Sequence, residues 1–588
     1  MDLQEWASAY NQSTATGLEG FFYVTSFPES FAMAQTWDPE LNQTVFHAVA
    51  DEYYNKGYSM IFGPTVGPQG RTPLGGRLVE TLGQDVYLAG VAFARATERI
   101  REAGVIPCGK HFLLNAQGTN RSEVYWSNNG VTVPRNNTAY TNNADDKTLH
   151  ETYLCPFYDG VQAGLGAVMC AMNRVNQTFA CENPELINKV LKTELAFPGF
   201  VTPDTSGQHT ALGSANGGLG FGAASFWNNN TLLPALANNT LPQARLDDMA
   251  GLNNKSFPPV PAATALVDVR ANHRALVSKA GGAAITLLKI TNNALPLKRR
   301  RSIGVFGAKA RPSIVGPGTT MDDVHNYNTW PGHLVFSGGS GMGSPSYLVT
   351  PYDALLARSI ADDIPYVAVA GTAGNSAAPT FSSYAAAVET CLVFINAWSG
   401  EGNYRVELRN SDQDAMILTV AESCKNTIVI INTHPNVTAV LYASLLEGVY
   451  LEYTYFDKYN VTPRYEFRYG LSYTTFNYSA PSISRVNETA LSQEMAVGRL
   501  APGGKVDLRD EVLRVGFTLS NTGSRPGAEV AQWYLRGFRK VYLQPRETGE
   551  VAFSLRRRDL SFWDVRRQEW VVARGHRDLR GNVRYIIQ

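Results

Sequence analysis

The sequence has no net charge, because 51 Lys and Arg residues balance 51 Asp and Glu. A neutral chain carries no electrostatic footprint for nucleic acid or an anionic membrane, so neither is an expected partner. No apolar run approaches the roughly 18 residues of a membrane helix. The start, Met1-Asp2-Leu3-Gln4-Glu5-Trp6, shows no basic residues followed by an apolar core, so no signal peptide is visible. Cysteine is scarce: six in 588 residues are too few for a disulfide scaffold. None stands in a CxxC pair, which argues against a zinc site. Cys170 with Cys181, and Cys391 with Cys424, read as bridges; Cys108 and Cys155 read as buried thiols. The glycine-rich Gly338-Gly339-Ser340-Gly341-Met342-Gly343 lacks the Lys-Ser/Thr ending of a phosphate loop. Lys298-Arg299-Arg300-Arg301 and Arg556-Arg557-Arg558 each abut an apolar segment and read as solvated strand flanks.

Asn-x-Ser/Thr sites are abundant: Asn11, Asn42, Asn120, Asn136, Asn176, Asn229, Asn238, Asn254, Asn436, Asn460, Asn477 and Asn487. Together they point to a secreted glycoprotein. The absent leader fits this only if the N-terminus is incomplete.

The length allows roughly three or four domains. Residues 1–250 alternate short apolar runs with amphipathic helical stretches. The runs are Phe21-Phe22-Tyr23-Val24, Ser59-Met60-Ile61-Phe62, Val105-Ile106-Pro107-Cys108, Ala167-Val168-Met169-Cys170 and Phe200-Val201. Helices are expected over Val86 to Ala103 and Pro184 to Ala196, the second with Leu186, Ile187, Val190, Leu191 and Leu195 on one face. The alternation predicts a parallel sheet or a (β/α) barrel. Polar residues follow the strand ends: Arg77, then Lys110 with His111, then Arg174, then Asp204. Cations donate to hydroxyl oxygens and a carboxylate accepts or attacks, so this rim suits a neutral polyhydroxy ligand. Pro203 pushes Thr202 towards extended backbone and ends the ladder, which sets Asp204 where a loop opens. Taken alone, an Asp after a Pro is ordinarily a turn or cap residue.

Residues 251–264 read as a linker. A second α/β region spans 265–480, with strands over Ile303 to Phe306, Leu392 to Ile395 and Thr427 to Ile431, and helical stretches such as Ala271 to Ala280 between them. Glu401 follows its second strand between two glycines, Gly400 and Gly402, which allow a close backbone approach. Residues 490–588 are all-β: Val515, Phe517 and Leu519 alternate with polar positions, as do Ala531, Trp533 and Leu535, followed by Val551 to Leu555 and Trp570 to Val572. This reads as a small sandwich.

These segments, in this order, resemble fungal β-glucosidases of glycoside hydrolase family 3. The resemblance runs along nearly the whole chain. It rests on Gly63-Pro64-Thr65-Val66-Gly67-Pro68-Gln69-Gly70-Arg71, Cys108-Gly109-Lys110-His111-Phe112-Leu113-Leu114-Asn115 and Asp145-Asp146-Lys147-Thr148-Leu149-His150-Glu151. Ser399-Gly400-Glu401-Gly402, Tyr465-Glu466-Phe467, Tyr469-Gly470-Leu471-Ser472-Tyr473-Thr474-Thr475-Phe476 and Asp559-Leu560-Ser561-Phe562-Trp563-Asp564-Val565 complete it. It implies a barrel-like first domain, an α/β sandwich second and a fibronectin type III-like third. It further implies Asp204 as nucleophile, Glu401 as acid/base from the second domain, and Arg77, Lys110 and His111 on the sugar hydroxyls, with Met169 lining the pocket. No metal or cofactor is implied. The implied activity is a retaining β-glucosidase acting on cellobiose and short β-glucosides. A non-catalytic sugar-binding relative, or the same chemistry on xylose, is the alternative. In a retaining pair Glu401 should be held protonated and Asp204 ionised.

The chain departs from the family pattern. Pro203-Asp204-Thr205 stands where Ser-Asp-Trp is usual, Met172 replaces a Tyr, and Trp398 stands where Asp is common. The N-terminal Asp that grips the sugar would lie ahead of Thr25-Ser26-Phe27-Pro28, outside this chain. Stretches are missing after Ser444-Leu445-Leu446-Glu447-Gly448 and after Tyr534-Leu535. Loss of a sheet segment should expose apolar edges.

Overall fold

The computed structural model describes residues 23–67, 74–115, 117–118, 120–122, 124–126, 132–134, 139–253, 267–297, 301–313, 331–335, 347–370, 379–401, 404–405, 407, 409–433, 453–467, 469–533 and 535–572. Most of the 251–264 linker, the Gly338–Gly343 loop, Lys298 to Arg300, and Asn11, Asn136, Asn254 and Asn436 lie outside these residues.

The first domain is (β/α) barrel-like. Four parallel strands, Met60–Ile61, Ile106–Phe112, Ala167–Cys170 and Phe200–Pro203, pair in that spatial order. The register sets Lys110 opposite Met169 and Met169 opposite Thr202, so site residues from neighbouring strands come level. Helices cover the sheet. Pro39–Asn55 begins with Asp38 accepting from the Leu41 amide and Pro39 in the first turn, where a missing N–H costs nothing. Val86–Glu102 is capped by Asp85, which accepts from the Tyr87 and Leu88 amides, and its last turn carries Arg99 and Arg101 against the helix dipole. The expected helix after Pro184 forms over Glu185–Glu194 with the wider π turn. Phe93, Phe112 and Phe157 meet edge to face between helices and sheet, with centroids 5.5 and 5.0 Å apart. One expected strand is corrected: Tyr23 and Val24 sit in a turn and bend, and Phe21 and Phe22 lie outside the described residues. The Tyr23 carbonyl accepts from the Val269 amide instead of joining a ladder.

The second domain holds a parallel sheet in the order Tyr366–Val369, Ile303–Phe306, Thr390–Ala397, Thr427–Thr433. The first of these strands was not expected. Cys391 and Cys424 form a disulfide between a central strand and the end of the helix Ser411–Ser423, and Cys170–Cys181 forms in the first domain. Cys108 is a buried free thiol; Cys155 is only partly buried. Thr427–Thr433 pairs on one side only among the described strands, and its Val429 and Ile431 side chains are exposed. The helix expected over Ala271 to Ala280 is present as His273–Ala283, but it packs on the first domain. Its His273 Nδ1 lies 2.6 Å from the buried Glu52 carboxylate, which needs a partner, and Lys56 Nζ donates to the Val267 carbonyl.

The third domain is a fibronectin type III-like sandwich of antiparallel strands. Glu511–Asn521 pairs with Thr548–Arg556, Phe476–Tyr478 and Ser482–Arg485, and Gly527–Trp533 forms a hairpin with Gly537–Leu543. Val515, Phe517, Leu519, Ala531, Trp533, Val551, Phe553 and Leu555 fill one core, as their alternation requires. Leu535 lies beyond its strand and packs with Trp37 and Leu88 of the first domain. The Arg556–Arg558 run is not a solvated flank. Arg557 is fully buried and donates to the Gln493 carbonyl, while Arg556 and Arg558 grip the two oxygens of Asp159 in the first domain at 2.9 and 2.6 Å. A carboxylate nearly 400 residues away cannot be read from a local charge run. Nearby, Trp563 stacks on His150 at 3.8 Å, and its indole nitrogen donates to Asp146.

Candidate active site

Three parallel strands deliver the first-domain side chains to one rim. Asp204 is the residue after Phe200–Pro203. Pro203 is still in register with Cys170, and the Asp204 amide donates to the Cys170 carbonyl at 3.1 Å, so the residue is anchored as the chain leaves the sheet. Its carbonyl accepts from the Gly207 amide, and its Oδ1 accepts from the Thr205 amide at 2.8 Å. Oδ2 is buried without an aligned hydrogen bond and lies 3.4 Å from His111 Nε2. Burial, reinforced by the cations Arg77, Lys110 and Arg121, holds the His111 imidazole well below its usual pKa. His111 is therefore neutral, and its contact with Asp204 is dipolar rather than an ion pair.

Arg77 opens a short 3-10 turn, Arg77–Glu80, and its planar fork donates to both Glu80 oxygens at 2.6 and 2.7 Å. Its remaining Nη1 donates to Glu401 Oε1 at 3.0 Å. Burial alone would favour discharging this guanidinium, but Glu401, Glu80 and Asp204 outweigh it and keep it charged. Glu80, equally buried, is held below the usual carboxylate range by Arg77 and Lys110 against that burial.

Glu401 lies four residues past the strand Thr390–Ala397, on a loop that meets the first domain. Ser399 Oγ donates to the Gly75 carbonyl at 3.0 Å, and the Gly118 amide donates to the Tyr404 hydroxyl at 2.6 Å. Arg121, from the loop after Ile106–Phe112, also donates to Glu401 Oε1. Its Nη1 is buried without a hydrogen-bond partner. Met169 and Met172 are buried near the strand ends, and Trp398 is buried beside Ser399.

The structure thus brings Asp204 to His111 and Arg77 to Glu401. Lys110 and Arg77 act electrostatically on both Asp204 and Glu80. Met169 lies in register with Lys110. Sequence reasoning missed Glu80 and Arg121. Glu80 had a signal, since i, i+3 spacing from Arg77 permits an ion pair on a helical turn. Arg121 sits inside Asn120-Arg121-Ser122, which reads only as a glycosylation triplet.

The charge environments differ from those expected of a ready acid and an ordinary nucleophile. Burial raises Asp204 above the usual Asp range, with Glu401 adding to it and Arg121, Arg77 and Lys110 opposing. Glu401 meets two guanidiniums at one oxygen, which are the partners of a carboxylate. An uncommitted acceptor, Asp204 Oδ2, and an uncommitted donor, Arg121 Nη1, are both buried here. Buried polar atoms of that kind ask for a polar ligand.

Family profiles match the chain in three places: the glycosyl hydrolase family 3 N terminal domain over residues 10–216, its C-terminal domain over 285–451, and a fibronectin type III-like domain over 523–580. A protein of Aspergillus niger described as probable beta-glucosidase D is 43% identical over 676 aligned positions, covering 97% of this chain and 89% of that protein. The alignment is longer than the 588-residue chain, so parts of that relative have no counterpart here. The crystal structure of beta-D-glucoside glucohydrolase from Trichoderma reesei is similar with a TM-score of 0.84 at 32% identity, over 94% of this chain and 87% of that one. A beta-glucosidase structure from Chaetomella raphigera gives 0.83 at 32% identity, over 96% and 89%.

Proposed function

Because the chain belongs to glycosyl hydrolase family 3, we propose that it is a retaining β-glucosidase. It releases terminal β-D-glucosyl units from cellobiose and short β-glucosides. The relatives named above are β-glucosidases, which supports the substrate class. The observation that carries the reading is the pair of carboxylates from separate domains, Asp204 and Glu401, within the field of the same two guanidiniums.

Asp204 is the nucleophile in this reading. Its Oδ1 is occupied by the Thr205 amide, which leaves Oδ2 to attack the anomeric carbon. Arg121, Arg77 and Lys110 favour its ionised form against burial. Glu401 protonates the leaving oxygen and then takes a proton from the attacking water, as a retaining pair about 5–5.5 Å apart requires. Sugar hydroxyls accept hydrogen bonds from Arg77, Arg121 and Lys110, and so compete with Glu401 for its guanidinium partners. The carboxyl they release takes up the proton that it later donates. His111, being neutral, offers a hydroxyl either a donor or an acceptor.

The double ion pair at Glu401 favours a second reading, a relative that binds sugar but turns it over poorly. Hydrolysis of an aryl β-glucoside followed by NMR separates the two. Release of β-glucose as the first product, lost in Asp204→Asn, supports the retaining enzyme; a folded protein that binds glucose and releases nothing supports the other.

We also read the chain as a secreted glycoprotein. Asn176, Asn229, Asn238 and Asn460 are exposed and open to a glycan. Asn42 is buried and donates to the Met33 and Asp38 carbonyls, so it carries none in the folded protein.

A further inference from the structure

Resting on the assignment of Glu401 as acid/base, we infer that Gly76 and Gly400 form a backbone contact that positions Glu401 across the domain seam. Two short segments run side by side there. Ser399 bonds to the Gly75 carbonyl, Gly400 lies against Gly76, and Glu401 pairs with Arg77. A Cβ on Gly76 would stand 2.1 Å from the Gly400 oxygen, 2.3 Å from its carbonyl carbon and 2.8 Å from its Cα. Real Cβ contacts essentially never fall below 3.0 Å, and all three of these atoms are backbone, so no side chain can swing away.

Gly76 adopts φ −89° and ψ −29°, a conformation open to any residue. Its backbone angles therefore do not ask for glycine; the space does. Any side chain would force the segments apart by about 1 Å, and a displacement of that size from productive geometry costs about 10²-fold in rate. The flanking residues are Arg77 and Glu401, so the displacement falls on the acid/base and its partner. Gly76 and Gly400 are positioning residues: they act through Glu401 and leave Asp204 on its own strand.

The test is Gly76→Ala in the full chain, assayed on cellobiose, whose leaving group needs a proton, and on 2,4-dinitrophenyl β-glucoside, whose leaving group does not. The inference expects kcat/KM on cellobiose to fall about 10²-fold, within the range that general acid catalysis supplies, while release of dinitrophenol is retained. Azide should then yield β-glucosyl azide, since it attacks the glucosyl-Asp204 ester without base help and frees the carboxylate. Gly281→Ala is the control, because a Cβ there meets nothing within 4 Å. If Gly76→Ala fails to fold, Ser399→Ala, which removes the adjoining hydrogen bond and adds no volume, should show the same substrate selectivity more weakly. Equal losses on both substrates, or no loss, overturn the inference. Should the wild type cleave neither substrate, the glucosidase reading fails. The contact is then judged by a crystal structure of Gly76→Ala, where an Arg77–Glu401 distance still at 3.0 Å overturns it and a wider one upholds it.

Discussion

Arg77 Nη1 donates to Glu401 Oε1 at 3.0 Å, although 324 positions separate the two residues. The contact joins the first domain to the second and puts a guanidinium between two carboxylates, since the same arginine is locked onto Glu80. Glu401→Gln keeps the shape of the side chain and removes its proton chemistry. We expect kcat/KM for alkyl glucosides to fall by about 10²–10⁴-fold, the usual worth of a general acid, and that for dinitrophenyl glucoside far less. A series of aryl glucosides with graded leaving groups checks this; a uniform loss across the series rules Glu401 out as the acid.

If Asp204 is the nucleophile we propose, Arg121 should set the acidic limit of activity. A nucleophilic carboxylate must be ionised to attack, and burial already raises Asp204 above the usual 3.8, with Arg121 the foremost cation opposing the rise. Removing that charge raises Asp204 further. The acid limb of the kcat/KM profile should therefore move to higher pH in Arg121→Ala and stay near its place in Arg121→Lys. A limb that stays put in both variants would separate Arg121 from the nucleophile.

Asp159 joins the first domain to the third. Both its oxygens are taken by arginines, and Arg558 and Arg556 hold it below the usual carboxylate range despite burial. Asp159→Ala takes the carboxylate from Arg558, while Arg556 keeps its pair with Asp559, and should cost about 3–5 kcal/mol, the range for breaking a buried pair. Urea denaturation measures it. A change inside about 0.5 kcal/mol, typical of surface sites, would contradict the contact.

His150 lends the same interface a pH dependence. Burial opposes its charge, but the hydrogen bond and charge of Glu194 and the neighbouring Asp146 outweigh burial and raise its pKa above 6.5. A raised folded value means stability that is fully present below 6.5 and lost as pH rises through the folded pKa. Thermal unfolding of the wild type should show that decline, and His150→Gln should flatten it. Identical profiles for both proteins would exclude the histidine.

Much of this was legible in the sequence, for local reasons. Ala167–Cys170 and Ile303–Phe306 are short apolar runs, and the structure places both strands where those runs lie. Val86–Glu102 announces itself through its apolar face and its Asp85 cap. The two disulfides, Cys170–Cys181 and Cys391–Cys424, are the pairs expected from the sequence. What was hidden depends on distant partners. Arg556 to Arg558 look solvated until Asp159 is brought to them by the fold. Arg121 sits on a loop with no periodicity, and only its arrival at Glu401 marks it. Tyr366–Val369 is half-buried throughout and shows no alternation to read. The sequence also favoured a protonated Glu401, whereas the folded site surrounds it with cations.

The most direct measurement is mass spectrometry of the intact chain after incubation with 2,4-dinitrophenyl 2-deoxy-2-fluoro-β-glucoside, whose fluorine slows breakdown of any glycosyl ester. The account predicts one added fluoroglucosyl unit, mapped to the peptide carrying Asp204 and absent in Asp204→Asn. A folded, sugar-binding protein with no adduct, or with the adduct on another carboxylate, would contradict it.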